Sequence, residues 1–386
     1  MTVEETRPLV KDGGFKLALF AFNNTGGMSM TAAEGRIVPT WENQVRLAQM
    51  ADRAGFEAVI PGAKWRGYGG ASDWCGTGFE TLSWAAGIAS VTSQTTVIAT
   101  VQVDTIHPVL AAKQAVTIDH ISGGRFGFNL VAGWNQSEMA LFGPSLADHE
   151  SRYDRCEEWI EFVKRMWSED EEFDVSGRFY NATGVLSKPK PLQRPRPVII
   201  NAAASGRGQL FVADHADVCF TTAERIDDIR AKVDETRRTV FEHAGRSIKV
   251  MGCLTVLCRD TEAEARRHWD YCVKEKGDRE AALKWAQPFT QSSKTYDEAT
   301  NQRILATLDG AIAGLQTPQA VGTPEQVAAK ILEMSAAGLD GVTISFISDW
   351  EEELERFNRE VLPLLEQAGL REPFLGQPQL VSAREA

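Results

Sequence analysis

The chain has no basic patch: 41 Lys and Arg are set against 53 Asp and Glu in 386 residues, for a net charge of −12. A field of that sign repels the phosphates of nucleic acid and of anionic lipid, so neither is expected as a partner. Where cations are dense, as in Asp227 to Arg238, they interleave with acids in the manner of a solvated helix face. The six cysteines (Cys75, Cys156, Cys219, Cys253, Cys258, Cys272) lack any Cys-x-x-Cys spacing. Several lie in apolar segments, where a reduced thiol packs as a small hydrophobe, and this predicts a reducing, cytoplasmic setting. No basic stretch leads into an apolar one between Met1 and Gly14, and no apolar run approaches bilayer length. The six histidines are dispersed without H-x-x-x-H or H-E-x-x-H spacing, so no metal site is expected. A G-x-S-x-G nucleophile elbow is missing too.

What is present is alternation. From Phe15 onward, short apolar runs give way to longer stretches of helical period, the pattern of repeated βα units around a parallel sheet. Eight strands are predicted: Leu17–Phe22, Ala58–Ile60, Thr96–Val103, Arg125–Leu130, Pro197–Ala202, Val218–Phe220, Lys249–Leu257 and Gly341–Phe346. Cys156, Trp159, Ile160, Val163, Met166 and Trp167 follow one helical face. Thr323, Pro324 and Gln326 supply an N-cap hydroxyl, a first-turn proline and a capping-box amide. Asp349 to Leu365 reads as a last helix. Periodicity alone fits a closed barrel or an open doubly wound sheet. The Gly-rich dinucleotide fingerprint is missing after the first strand, where Asn23 to Gly27 open a long loop, and this favours an α/β fold of (β/α)8 TIM-barrel type. The expected organisation is a tail (1–14), one barrel domain (15–368) and a second tail (369–386). Two insertions, 168–196 and 275–317, are expected at the C-terminal face, where long loops commonly form lids.

At Ile118 to Trp134 the chain reads IDHISGGRFGFNLVAGW, and in the same order come LAQMADRAGFEAVI (Leu47–Ile60), KWRGYGG (Lys64–Gly70), HPVLAAKQAVTID (His107–Asp119) and GTPEQVAAKI (Gly322–Ile331). In these motifs the chain resembles the bacterial luciferase-like flavin-dependent monooxygenases, in particular the subgroup acting on pyrimidines and dimethyl sulfone. The resemblance implies a TIM barrel using reduced FMN and O2 to oxidise a small organic molecule through a flavin peroxide. It also implies a separate NAD(P)H-dependent flavin reductase as partner and a homo-oligomeric assembly. Carried over residue by residue, it places Ala63, Lys64, Asn129, Glu138, Arg152, Tyr153 and Ser205 against FMN, and Thr100 with Asn129 at the oxygen pocket.

The residue types suit those tasks independently. A terminal phosphate calls for a fixed cation, hydroxyls and backbone N–H groups at a helix N-terminus, which Arg152, Tyr153, Ser205 and Gly206 can supply. An arginine in a first helical turn opposes the helix dipole, and a local anion would account for it. Reactive oxygen bound to flavin calls for neutral hydrogen-bonding groups in a dry site, and Thr100 and Asn129 are neutral. The plain alternatives are a β-branched strand residue for Thr100, an internal amide for Asn129, an N-cap for Ser205, and, for Arg125 of GGRFG as a further phosphate contact, a turn feeding a strand. Gly62, Trp65, Asp104 and His107 depart from the pyrimidine oxygenase pattern, and His107 with Pro108 can simply start a helix. Two other functions share the barrel: a deazaflavin-dependent dehydrogenase and a non-catalytic flavin-binding relative.

Overall fold

The computed structural model describes residues 7–133, 135–143, 148–202, 206–291 and 307–375. Eight parallel strands close into a barrel: β1 (Lys16–Phe20), β2 (Ala58–Ile60), β3 (Thr96–Gln102), β4 (Phe126–Val131), β7 (Val198–Asn201), β8 (Val218–Thr221), β9 (Lys249–Cys258) and β11 (Gly341–Phe346). Neighbours pair in that order, β9 pairs with β8, and β11 returns to β1, so these eight strands leave no open edge. All eight predicted strands are present, with ends shifted by no more than two residues. The sequence pattern missed three short strands outside the ring. They are β5 (Phe173–Ser176) and β6 (Asn181–Val185), which form an antiparallel hairpin, and β10 (Gln319–Gly322), which extends the far half of β9.

Period-2 alternation sorts each strand into two faces. Ala18, Ala58, Ile60, Ile98, Val198, Ile200, Val218 and Met251 fill the barrel interior as one cluster. Residues between them, such as Leu17, Val59, Val97, Phe128 and Ile199, join the larger core under the helices. At Gly127 an added Cβ would lie 2.7 Å from the Ile98 side chain, so the glycine of GRFGF makes room for the interior plug. Around the ring lie α1 (Trp41–Arg53), α2 (Thr81–Ala89), α3 (Pro108–Ser122), a short α4 (Gln136–Met139), α5 (His149–Ser168), α6 (Gly206–His215) and α7 (Ile226–Ala244). The apolar stripe predicted on α5 is buried throughout, from Cys156 to Trp167. The helix Pro324–Ala336 starts with the expected capping box, Thr323 against Gln326. The last helix is interrupted: Trp350–Arg356 passes through a π-turn at Phe357–Val361 before Leu362–Gln367. Pro363 has no N–H for the carbonyl four residues back and its ring crowds that turn, which explains the widening there. Among the described residues no helix is long and apolar enough to cross a membrane, and all six cysteines are buried and free.

The N-terminal end of the barrel is closed by a recurring device. Glu57, Asp217 and Asp340 each stand just before a strand and accept from a backbone amide of the adjacent strand: Leu17 N at 2.9 Å, Ile199 N at 2.8 Å and Val250 N at 2.7 Å. Arg125 belongs to this end as well, donating to the carbonyls of Thr95 at 2.7 Å and Thr92 at 2.8 Å, so its plain reading is the right one. Conserving charge for buried backbone groups at this face serves stability, while the opposite face is free for chemistry.

The two insertions behave differently. The first is a strap on the barrel flank: Glu158 of α5 accepts from the amides of Arg178, Phe179 and Tyr180, and the Tyr180 ring meets His107 at the rim, 5.6 Å between centroids. Its return limb is pinned by fully buried Asp119, which accepts from Leu192 N (2.6 Å), Gln193 N (3.2 Å) and Gln193 Nε2 (2.7 Å). The second insertion reaches the C-terminal face, with α8 (Glu262–Asp270) before it and α9 (Arg279–Gln291) within it. Thr31 Oγ1 donates to Cys272 O at 2.7 Å, Ser72 Oγ donates to Asp278 Oδ2 at 2.7 Å, and Ser29 Oγ donates to Ile312 O at 3.1 Å. The loops after β1 and β2 are thereby held over the barrel mouth; residues 292–306 lie outside the described residues. Asp119→Ala removes a charged acceptor from three buried donors and is expected to cost about 2 to 4 kcal/mol, read as a lower urea midpoint at unchanged slope. A midpoint within error of wild type would show that the strap contributes nothing to global stability.

Candidate active site at the barrel mouth

Thr100 and Gln102 of β3, and Asn129 and Val131 of β4, fall on the inward face at the C-terminal ends of their strands. The parallel register sets Thr100 beside Asn129 and Gln102 beside Val131. Thr100 Oγ1 donates to the carbonyl of Pro61, just past β2, at 2.5 Å, and Asn129 Nδ2 donates to Thr100 Oγ1 at 3.2 Å. Thr81 Oγ1, at the start of α2, holds the Thr100 carbonyl at 2.6 Å. Asn129 is 8% exposed and Gln102 4%, yet Asn129 Oδ1 and Gln102 Oε1 have no hydrogen-bond partner among the described residues. A bare buried carbonyl costs desolvation energy unless a ligand supplies a donor.

Next to this pair sits an ion pair that ties together the loops after β2 and β4. Lys64 Nζ lies 3.6 Å from Glu138 Oε2, and Glu138, fully buried on α4, also accepts from Trp65 N at 3.0 Å. Burial works against the Lys64 ammonium, but Tyr68 and Glu138 outweigh it and hold its pKa above the ordinary lysine value. Tyr68 lies under the ammonium, 5.4 Å from nitrogen to ring centroid, and its hydroxyl accepts from Asn135 Nδ2 at 3.1 Å. Burial pushes the nearby Cys75 thiol up to about 12, so it stays neutral. Ala63 occupies the same loop, half-buried.

The third part of the mouth is a corner between two helix N-termini. Arg152 is in the first turn of α5, where its Nη1 donates to Gly133 O at 2.6 Å and its Nε is buried without a partner among the described residues. Burial lowers its pKa, partly offset by Tyr153, Asp104 and Asp148. Tyr153 packs against Phe211 of α6, with ring centroids 5.9 Å apart, and Asp154 pairs with Arg207 at 3.3 Å. The first turns of α5 and α6 are therefore neighbours. Gly206 opens α6, and a Cβ there would meet open space. Ser205 lies outside the described residues.

Thus Ala63, Lys64, Thr100, Asn129, Glu138, Arg152, Tyr153 and Gly206, read from the sequence, all fall at strand ends or helix starts on one face of the barrel. Four other positions resolve into local roles. His107 Nδ1 caps α3 by accepting from Val109 N at 3.3 Å, and Asp104 pairs with Arg155 at 3.2 Å. Trp65, exposed at the rim, meets Phe142 edge-on at 4.9 Å. Gly62 is glycine because its Cβ would lie 2.7 Å from Asn24 Nδ2, an amide that donates to Gly62 O at 2.9 Å. Sequence reasoning missed Gln102, although strand period puts it on the same face as Thr100, two residues away. It missed Asn23 as well, whose amide exchanges hydrogen bonds with Gly62 at 2.7 and 3.0 Å from the loop after β1.

The profile of the luciferase-like monooxygenase family matches residues 15–341. An FMNH2-dependent dimethylsulfone monooxygenase of Pseudomonas putida is 31% identical over 354 residues, covering 91% of this chain and 95% of that protein. The pyrimidine monooxygenase RutA of Escherichia coli is 30% identical over 368 residues, covering 94% and 93%. Among solved structures, DmoA from Hyphomicrobium sulfonivorans superposes with a TM-score of 0.82 at 20% identity, covering 95% of this chain and 91% of that one, a likeness of fold.

Glu138→Leu takes the carboxylate away from the buried Lys64 ammonium and is expected to destabilise the protein by about 3 kcal/mol, whereas Lys64→Met with Glu138→Leu together recovers most of that loss. Urea midpoints of the single and double variants measure the coupling; strictly additive losses would mean the two side chains do not act as a pair.

Proposed function

Since the chain belongs to the luciferase-like monooxygenase family, we propose that it is an FMNH2- and O2-dependent monooxygenase of a two-component system, oxidising a small organic substrate such as a cyclic amide, a sulfone or a haloaromatic. A separate NAD(P)H-dependent flavin reductase supplies the reduced FMN, the enzyme works as a cytoplasmic homo-oligomer, and residues 15–368 form one catalytic unit. Relatives matching along nearly the whole chain are named as FMNH2-dependent and pyrimidine monooxygenases, which favours oxygen chemistry over hydride transfer to a deazaflavin.

The observation that carries this reading is the side-by-side placement of Thr100 and Asn129 on the inner wall, neutral and buried, on the same face as the Lys64–Glu138 ion pair and the starts of α5 and α6. The donor set fits FMN. Arg152, whose Nε has no partner among the described residues, can take the phosphate together with Tyr153, Ser205 and the N-terminus of α6 at Gly206. Ala63, Lys64 and Glu138 would hold the isoalloxazine, whose redox chemistry would activate oxygen. Asn129 faces the oxygen with its second amide hydrogen, Thr100 orients it, and the covering loops keep water out.

Arg152→Ala is expected to weaken FMN binding about 10- to 100-fold, the loss of a charge-assisted contact worth about 1.5 to 3 kcal/mol. Fluorescence titration of FMN reads this directly; unchanged affinity in a folded variant would remove Arg152 from the phosphate site. Asn129→Ala is expected to uncouple the reaction, slowing oxygen transfer about 100- to 1,000-fold while reduced FMN is still consumed. Product and hydrogen peroxide are measured together under a steady supply of reduced FMN, with circular dichroism confirming the fold. Full coupling in that variant would reduce Asn129 to a structural amide.

A further inference from the structure

Two amides at the mouth are oriented from behind by groups that can only accept hydrogen bonds. A prolyl carbonyl has no proton, so at 2.5 Å the Thr100 hydroxyl must donate to Pro61 O. That uses the only proton of Thr100. The 3.2 Å contact with Asn129 therefore requires the amide to donate, which turns Nδ2 toward Thr100 and leaves Oδ1 bare. The same logic governs Gln102. Its partner is the carboxylate of Glu138, at 3.5 Å from Nε2, so the NH2 faces Glu138 and Oε1 is left bare. Both bare oxygens are buried and come from adjacent strands.

We propose that these two locked acceptors make the site selective for the reduced flavin, with Thr100 as the positioning residue and Asn129 and Gln102 as the contacts. The inference rests on the FMNH2-dependent reading above. The reduced isoalloxazine carries a ring N–H where the oxidised ring has a bare lone pair. A fixed carbonyl attracts the former and repels the latter, and an amide free to flip would accommodate both. Here neither amide flips without breaking its bond to Thr100 or Glu138. Selection for the reduced ring keeps oxidised FMN from occupying the site after turnover and leaves it open to the next FMNH2 from the reductase.

The test is the ratio of dissociation constants for oxidised and reduced FMN, the latter measured anaerobically, together with the midpoint potential of bound FMN. In wild type the reduced form is expected to bind at least tenfold more tightly, which raises the two-electron potential by about 30 mV per tenfold. Thr100→Val keeps the shape but frees the amide, and the ratio is expected to fall about tenfold; Thr100→Ser restores the hydroxyl and the ratio. Gln102→Leu should lower the ratio separately. An unchanged ratio and potential in Thr100→Val and Gln102→Leu, with both flavin forms bound, would overturn the inference and leave the proposed function standing. Failure of wild type to bind either form would overturn both.

Discussion

The parallel pairing of β3 with β4 is the constraint on which the mouth depends. With Thr100 in register with Asn129, one hydroxyl can bridge a prolyl carbonyl on one side and an amide on the other. A slip of one residue in either strand would turn its side chain into the core beneath the helices and part the pair, because a strand alternates faces at every residue. The register is protected by the interior plug, where Gly127 yields its volume to Ile98 one step below. Packing at the centre of the barrel thus sets the geometry of chemistry at its rim.

The two ends of the barrel spend their polar groups differently. At the N-terminal end, Glu57, Asp217 and Asp340 accept from strand amides, Arg125 donates to carbonyls and Asp119 pins the strap. At the C-terminal end, Asn129 Oδ1, Gln102 Oε1 and Arg152 Nε are buried with no partner among the described residues. Buried polar groups are rarely left so in a native fold, and all three lie at the barrel mouth. The helical insertion adds rigidity by fastening the loops after β1 and β2, whose Asn23, Asn24 and Gly62 form a tight knot beside Pro61. The Pro61 carbonyl is in turn the anchor of the amide relay.

Much of this was legible in the residues. Short apolar runs at βα spacing located all eight barrel strands, since strands buried on both faces read as apolar blocks. Capping chemistry located the helix at Thr323, and the stripe from Cys156 to Trp167 located the buried face of α5. The SGGRFGFNLVAGW motif and its companions pointed to the family and to residues that do gather on one face. Ends were less legible: strands β5, β6 and β10 are short and half-exposed, with too few residues to establish a period, and the interruption at Phe357–Val361 follows from Pro363 within an otherwise good helical pattern.

What the sequence by itself determined is the set of local choices: which segments become strands, which side chains alternate inward, where helices begin, and which neutral and charged residues end up at strand termini. These depend on spacing and on the chemistry of near neighbours along the chain. Only the tertiary structure decided direction. That Thr100 spends its proton on Pro61, that Asn129 and Gln102 give their NH2 groups to Thr100 and Glu138, and that Lys64 pairs with Glu138 are matters of residues up to 74 positions apart meeting at hydrogen-bond or ion-pair distance. A hydroxyl or an amide can donate or accept, and the choice is made by the partner the fold brings to it.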